Sequence, residues 1–273
     1  MRCLPVLILK RERMSKRFKY LVSSIVSAVG FYLFLSLPYD FRYFGIMFGT
    51  VLIVFCFWFG LGVIFDRDLN NRIMTILLPL SFFLGFSLFS MILPISWWFS
   101  LILTLIFGTG IYLLFLVENV FWVAIGNRTP PLYRAAYTVS LIMLLVTSFL
   151  LFNSLYSFRL PFWANGLISA VIAAVLFLYQ FWAVAIELPD DGEKKDRWGY
   201  VAIMAVILGE LALALSFWSV GIFKWSIYLT FFVYVLATMI SSEIKGRLFK
   251  SSWLFMLWVG IAGVIGMITM AGW

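Results

Sequence analysis

The chain has 273 residues, of which 64% are hydrophobic and 12% charged, with a formal net charge of +8. Soluble domains average about 25% charged residues, so this chain has too little polar surface to wrap a water-facing core. It contains no histidine and only two cysteines, Cys3 and Cys56. That removes imidazole-dependent catalysis, imidazole ligation of haem or zinc, thiolate metal sites and a disulfide framework.

Crossing roughly 30 Å of hydrocarbon takes about 20 apolar residues as a helix, because every backbone polar group must then be bonded within the segment. Residues 1–14 form a tail whose apolar part is too short to span. It also has the wrong order for a signal peptide, in which charge precedes the apolar region. A start at Met14, giving MSKRFKYLV directly into the first span, is one reading of it. Nine stretches then reach span length: 20–38, 43–65, 73–93, 97–117, 133–153, 162–186, 199–219, 222–242 and 252–272. The continuous runs lack the alternation of a β-barrel. The predicted fold class is all-α, a polytopic transmembrane bundle of nine spans.

Lys and Arg near the span ends control orientation. With the N-terminus in the cytoplasm, 17 of the 20 basic residues fall on the inner side, leaving Arg42, Arg159 and Lys224 outside. Nine spans then place the C-terminus outside. The net charge follows from this topology and from attraction to anionic lipid, so no nucleic-acid partner is expected.

Residues 17–42 laid over 134–159 without a gap give 10 identities in 26 positions. They include Arg17 with Arg134, Tyr20 with Tyr137, Ser23 with Ser140, and TyrAspPheArg at 39–42 with TyrSerPheArg at 156–159. Farther on, PheTrp at 57–58 matches 181–182, LeuGly at 84–85 matches 208–209, and Glu118 matches Glu243. The pattern predicts a duplication: a first four-helix repeat over 15–126, a linker at 127–131 and a second repeat over 132–250. Four spans is an even number, so the repeats run parallel, related by an axis along the membrane normal. A ninth helix over 251–273 has no counterpart. Its Gly260, Gly263 and Gly266 suit close helix packing, as do Gly45 and Gly49 earlier.

GxSxG, Walker A, GxGxxG and CxxC patterns are absent from the chain. No enzyme activity, cofactor or metal is expected. Glu210, inside VILGELALALSFW at 206–218, sits near the membrane midplane, where a carboxylate is costly and is expected to face protein. Gln180, on the preceding antiparallel span, could meet it within about one helical turn, with Tyr179, Thr230 and Tyr234 as other candidate partners. The pair is read either as a substrate-binding or proton-coupling site, or as a hydrogen bond that locks helix register. In the first repeat the position of Glu210 holds Phe86. Arg42 and Arg159 close equivalent outward-going helices. Their planar forks suit a lipid headgroup or an anionic solute, and interfacial anchoring is the alternative. AspAspGlyGlu at 190–193 lacks a calcium-loop pattern and reads as a solvated hairpin.

The stretch GELALALSFWSVGIFKWSIYLT at 209–230 resembles segments of an uncharacterised family of multi-pass bacterial membrane proteins. The resemblance covers about a tenth of the chain and implies no activity, cofactor or site. Two functions remain open on the sequence: a small-solute or lipid transporter of the cytoplasmic membrane, or a non-catalytic scaffold or subunit bound to other membrane proteins.

Overall fold

The computed structural model describes residues 16–61, 69–94, 96–126, 132–187, 197–218, 221–245 and 250–270. The tail at 1–14 with its candidate start at Met14, the linker at 127–131 and the AspAspGlyGlu hairpin lie outside them. Among the described residues the protein is all-helical: α1 Lys16–Ser36, α2 Arg42–Leu61, α3 Leu69–Ile92, α4 Trp97–Gly126, α5 Tyr133–Ser157, α6 Phe162–Ala185, α7 Arg197–Ser216, α8 Ile222–Ile244 and α9 Lys250–Met270. Eight of these are long and apolar enough to cross a membrane. In α9 the apolar stretch is the shorter Leu257–Gly266, where the sequence predicts a ninth full span.

The helices break where the backbone demands it. Pro38 opens the short 3-10 turn Tyr39–Phe41 between α1 and α2, and Pro161 (φ −60°, ψ 151°) sits just ahead of α6. Proline lacks an N–H and is tolerated at a helix start, where that donor has no partner anyway. Pro79 lies inside α3 and removes one of its helical bonds, a loss that membrane helices accept when neighbours enclose the site.

Within the first four helices, α1 packs against α2 and α4, and α2 against α3; within the next four, α5 packs against α6 and α8, and α6 against α7. The two sets meet along one seam, where α3 and α4 lie against α5 and α3 also touches α6. Helix α5 is thus central. The first set is held by rings: Phe31 stacks on Phe107 at 4.4 Å between centroids, Phe82 and Phe86 lie 4.7 Å apart, and Phe57 stacks on Phe115 at 4.0 Å. Aromatic burial of this kind exceeds what area alone contributes.

The small residues behave unequally. A Cβ on Gly49 would come 2.1 Å from Phe83 Cζ, and one on Gly45 would come 2.8 Å from Phe34. In α9, among the described residues, only Gly263 meets a neighbour, Phe231 of α8, while Gly260 and Gly266 have nothing within 4 Å. The expected glycine seam along α9 is therefore a single contact.

Candidate functional site

A group of buried polar side chains gathers near the C-terminal ends of α4, α6 and α8 and the N-terminal end of α5. The clearest is Glu118, which is fully buried. The sequence reading ends the fourth span at residue 117, but α4 continues to Gly126, because ValPheTrpValAlaIle at 120–125 keeps the run apolar beyond Glu118 and Asn119. The carboxyl therefore lies about 12 Å inside the helix end at 1.5 Å per residue. It faces the seam, where the Tyr179 hydroxyl of α6 donates to its Oε1 at 2.7 Å. Its Oε2 is buried with no hydrogen-bond partner among the described residues.

Around this pair runs a set of bonds that ties six helices together. Gln180 Nε2 donates to the Tyr137 hydroxyl oxygen at 2.6 Å, and Tyr137 lies 2.7 Å from Ser241 Oγ. Because the Ser241 proton goes to the Ala237 carbonyl, Tyr137 is the donor to Ser241, and the chain runs in one direction from α6 through α5 to α8. The Tyr133 hydroxyl donates to the Ala183 carbonyl. Trp182 Nε1 crosses the seam to Asn71 Oδ1 at 3.0 Å, and Tyr20 of α1 bonds Asn119 Oδ1 of α4 at 2.8 Å. Just past the ends of α6 and α8, Lys245 pairs with Glu187 at 2.6 Å and sits 4.7 Å over the Tyr137 ring. The Gln180 Oε1, like Glu118 Oε2, is buried and unpartnered among the described residues. Buried acceptors without a donor are costly.

The residues singled out from the sequence fall differently from expectation. Glu210 is exposed on the outer face of α7 and does not face protein. Gln180 is 1% exposed and is engaged by Tyr137, so the expected Glu210 pair does not form. The reason is helix rotation: Gly209 turns toward α6, where a Cβ would lie 3.0 Å from Ala170 Cβ and 3.1 Å from the Gly166 carbonyl, and the next residue is left facing away. Phe86, at the matching place in the first set, is buried in the aromatic core.

The two arginines also diverge. Arg42 is 4% exposed; its Nε donates to the Leu37 carbonyl at 3.2 Å and its Nη2 to the Leu35 carbonyl at 3.4 Å, closing the end of α1, while its guanidinium stacks over Tyr39 at 3.9 Å. Arg159 is exposed with φ 50°. One is spent on a helix terminus and the other projects from a strained turn, so they do not form a matched clamp. Among the described residues no three His, Cys, Asp or Glu side chains gather as metal ligands.

Glu118 was legible only as a repeat match to Glu243. The usable signal was the apolar run continuing for two turns past it, which marks the acid as intramembrane. A family model described as a protein of unknown function, DUF5656, matches residues 123–270. No curated protein and no solved structure matches the chain.

Proposed function

The chain belongs to the DUF5656 family of proteins of unknown function, and from that premise we propose that it is a transporter of a small solute or lipid with its site at the inner half of the seam. One observation carries this reading: Glu118 is fully buried between the two helix sets, with one oxygen held by Tyr179 from the opposite set and the other vacant. A purely structural hydrogen bond would be better served by an amide or an apolar pair, since a buried carboxyl with an open acceptor is expensive. Intramembrane acids of this kind line ion and substrate pathways.

Glu118 replaces Glu210 as the ionisable group of the site, and Gln180 remains in it through Tyr137. The proposed mechanism is rocking of the two sets about the seam, which would expose the vacant oxygen to the inner side in one state and enclose it in the other. No covalent step is involved. The proposed setting is the cytoplasmic membrane, with the N-terminus inside and the C-terminus outside, as the Lys and Arg distribution favours.

The proposed duplication is supported by matched bonds. Tyr20 and Tyr137, equivalent in the repeat, each reach the inner end of the fourth helix of their own set, at Asn119 and at Ser241. Among the described residues, α7 and α8 make no contact with α1 comparable in extent to that of α3 and α4 with α5, so the two units are read as packed head to tail.

The test compares membrane vesicles holding wild type, Glu118→Gln and Tyr179→Phe after incubation with a cell extract, reading retained solutes by mass spectrometry. Wild type is expected to retain a solute that Glu118→Gln does not, at unchanged thermal stability of the variant. Equal solute profiles with a lowered melting temperature would instead make Glu118 a register lock. The outward Glu210 favours an added role as a subunit of a membrane complex, which is compatible with transport.

A further inference from the structure

Helix α7 presents one unbroken stripe to its surroundings: Ile203, Val206, Glu210, Ala214 and Phe217 are all exposed, spaced three and four residues apart. The stripe is apolar except for Glu210. Trp198 and Phe217, both largely exposed, mark the two interfacial belts of this helix. Glu210 lies about 11 Å from the level of Phe217 and about 18 Å from that of Trp198 at 1.5 Å per residue. A glutamate side chain is too short to reach headgroups from there, so against lipid its carboxyl would stand in hydrocarbon.

The helix cannot rotate the acid inward. Gly209 sits against Ala170 and the Gly166 carbonyl, and Gly166 is filled by Leu213, so α6 and α7 are locked at close approach. Glu210 makes no hydrogen bond and no ion pair among the described residues. An apolar stripe with one carboxyl at depth is complementary to an apolar helix with one cation at the same depth.

We propose that this face of α7 binds a membrane helix of a different protein, one that carries a lysine or arginine level with Glu210. A second copy does not fit. Every described Lys and Arg of this chain lies in the first turn of a helix or outside one, so none of a copy's described cations lies at that depth. The surface is independent of the Glu118 site, which lies on the other side of α6.

A photoreactive residue placed at Val206 or Ala214 of the full chain, in its native membrane, tests this. The expected adduct is a protein with a basic residue inside a span, reduced about tenfold by Glu210→Leu. Glu210→Lys should abolish it, and exchanging the partner's basic residue for glutamate should restore it. Glu210→Leu should leave the melting temperature of the isolated protein unchanged or raised, separating lost binding from lost folding. Adducts with lipid alone, with a second copy, or with a protein lacking an intramembrane base would each overturn the proposal. An adduct that persists in Glu210→Leu would overturn it too.

Discussion

At the scale of single residues, the value of Tyr179 is set by what its removal leaves behind. Its hydroxyl is the one donor to Glu118 among the described residues, so Tyr179→Phe strands a fully buried carboxyl with both oxygens open, at a cost of about 1–3 kcal/mol. Replacing both partners by apolar groups is far cheaper than replacing one. The double variant Tyr179→Phe, Glu118→Leu should therefore recover much of the loss, read as thermal unfolding in detergent; additive losses would show that the two groups do not interact. The arginines give a contrasting pair. Arg42→Met uncovers the Leu35 and Leu37 carbonyls at the end of α1, and a loss of about 1–3 kcal/mol is expected from charged donors removed at a buried site. Arg159 holds φ 50°, which costs a non-glycine residue roughly 1–2 kcal/mol. Because glycine also loses more chain entropy on folding, Arg159→Gly should gain at most about 1 kcal/mol by the same measurement.

Elements were the most legible level of the sequence, for a physical reason. A lipid-enclosed backbone leaves only the helix or the closed barrel, and these runs lack a barrel's alternation, so apolar length predicts where helices lie, and the described helices fall on the predicted stretches within a few residues at most ends. The exception is α4, which outruns its predicted end because two polar residues, Glu118 and Asn119, look like a boundary when they are a site. Rotation about the helix axis was not legible. It depends on which small residue lets a neighbour approach, and Gly209 rather than Glu210 decides it for α7. The same physics separates glycines that read alike in sequence. Gly49→Val drives its side chain into Phe83 and should cost about 1–3 kcal/mol through overpacking. Gly260→Ala, with open space beside it, should stay within about 0.5 kcal/mol. Equal melting shifts for the two would mean that α2 does not sit against Phe83.

For the molecule as a whole, the seam between the two helix sets decides how it is assembled. The sequence matches propose two sets but not how they would dock, because two such units could pair reciprocally or head to tail with the same local matches. In the structure α3 and α4 lie against α5, and polar bonds cross the seam at Glu118 to Tyr179 and at Asn71 to Trp182. Helices that are each stable in lipid associate afterwards by packing and by such interhelical bonds, typically around 1 kcal/mol apiece. Chains 1–126 and 132–273, expressed as separate membrane fragments, should therefore find each other, since the seam needs no covalent link to form. Co-purification through a tag on one fragment measures this. Gly85 makes the sharper variant: a Cβ there would lie 3.2 Å from Leu150 Cβ of α5, so Gly85→Leu should part the fragments while leaving each inserted. If the fragments never associate, or if Gly85→Leu leaves their association intact, then α3 and α5 are not the surfaces that hold the two sets together.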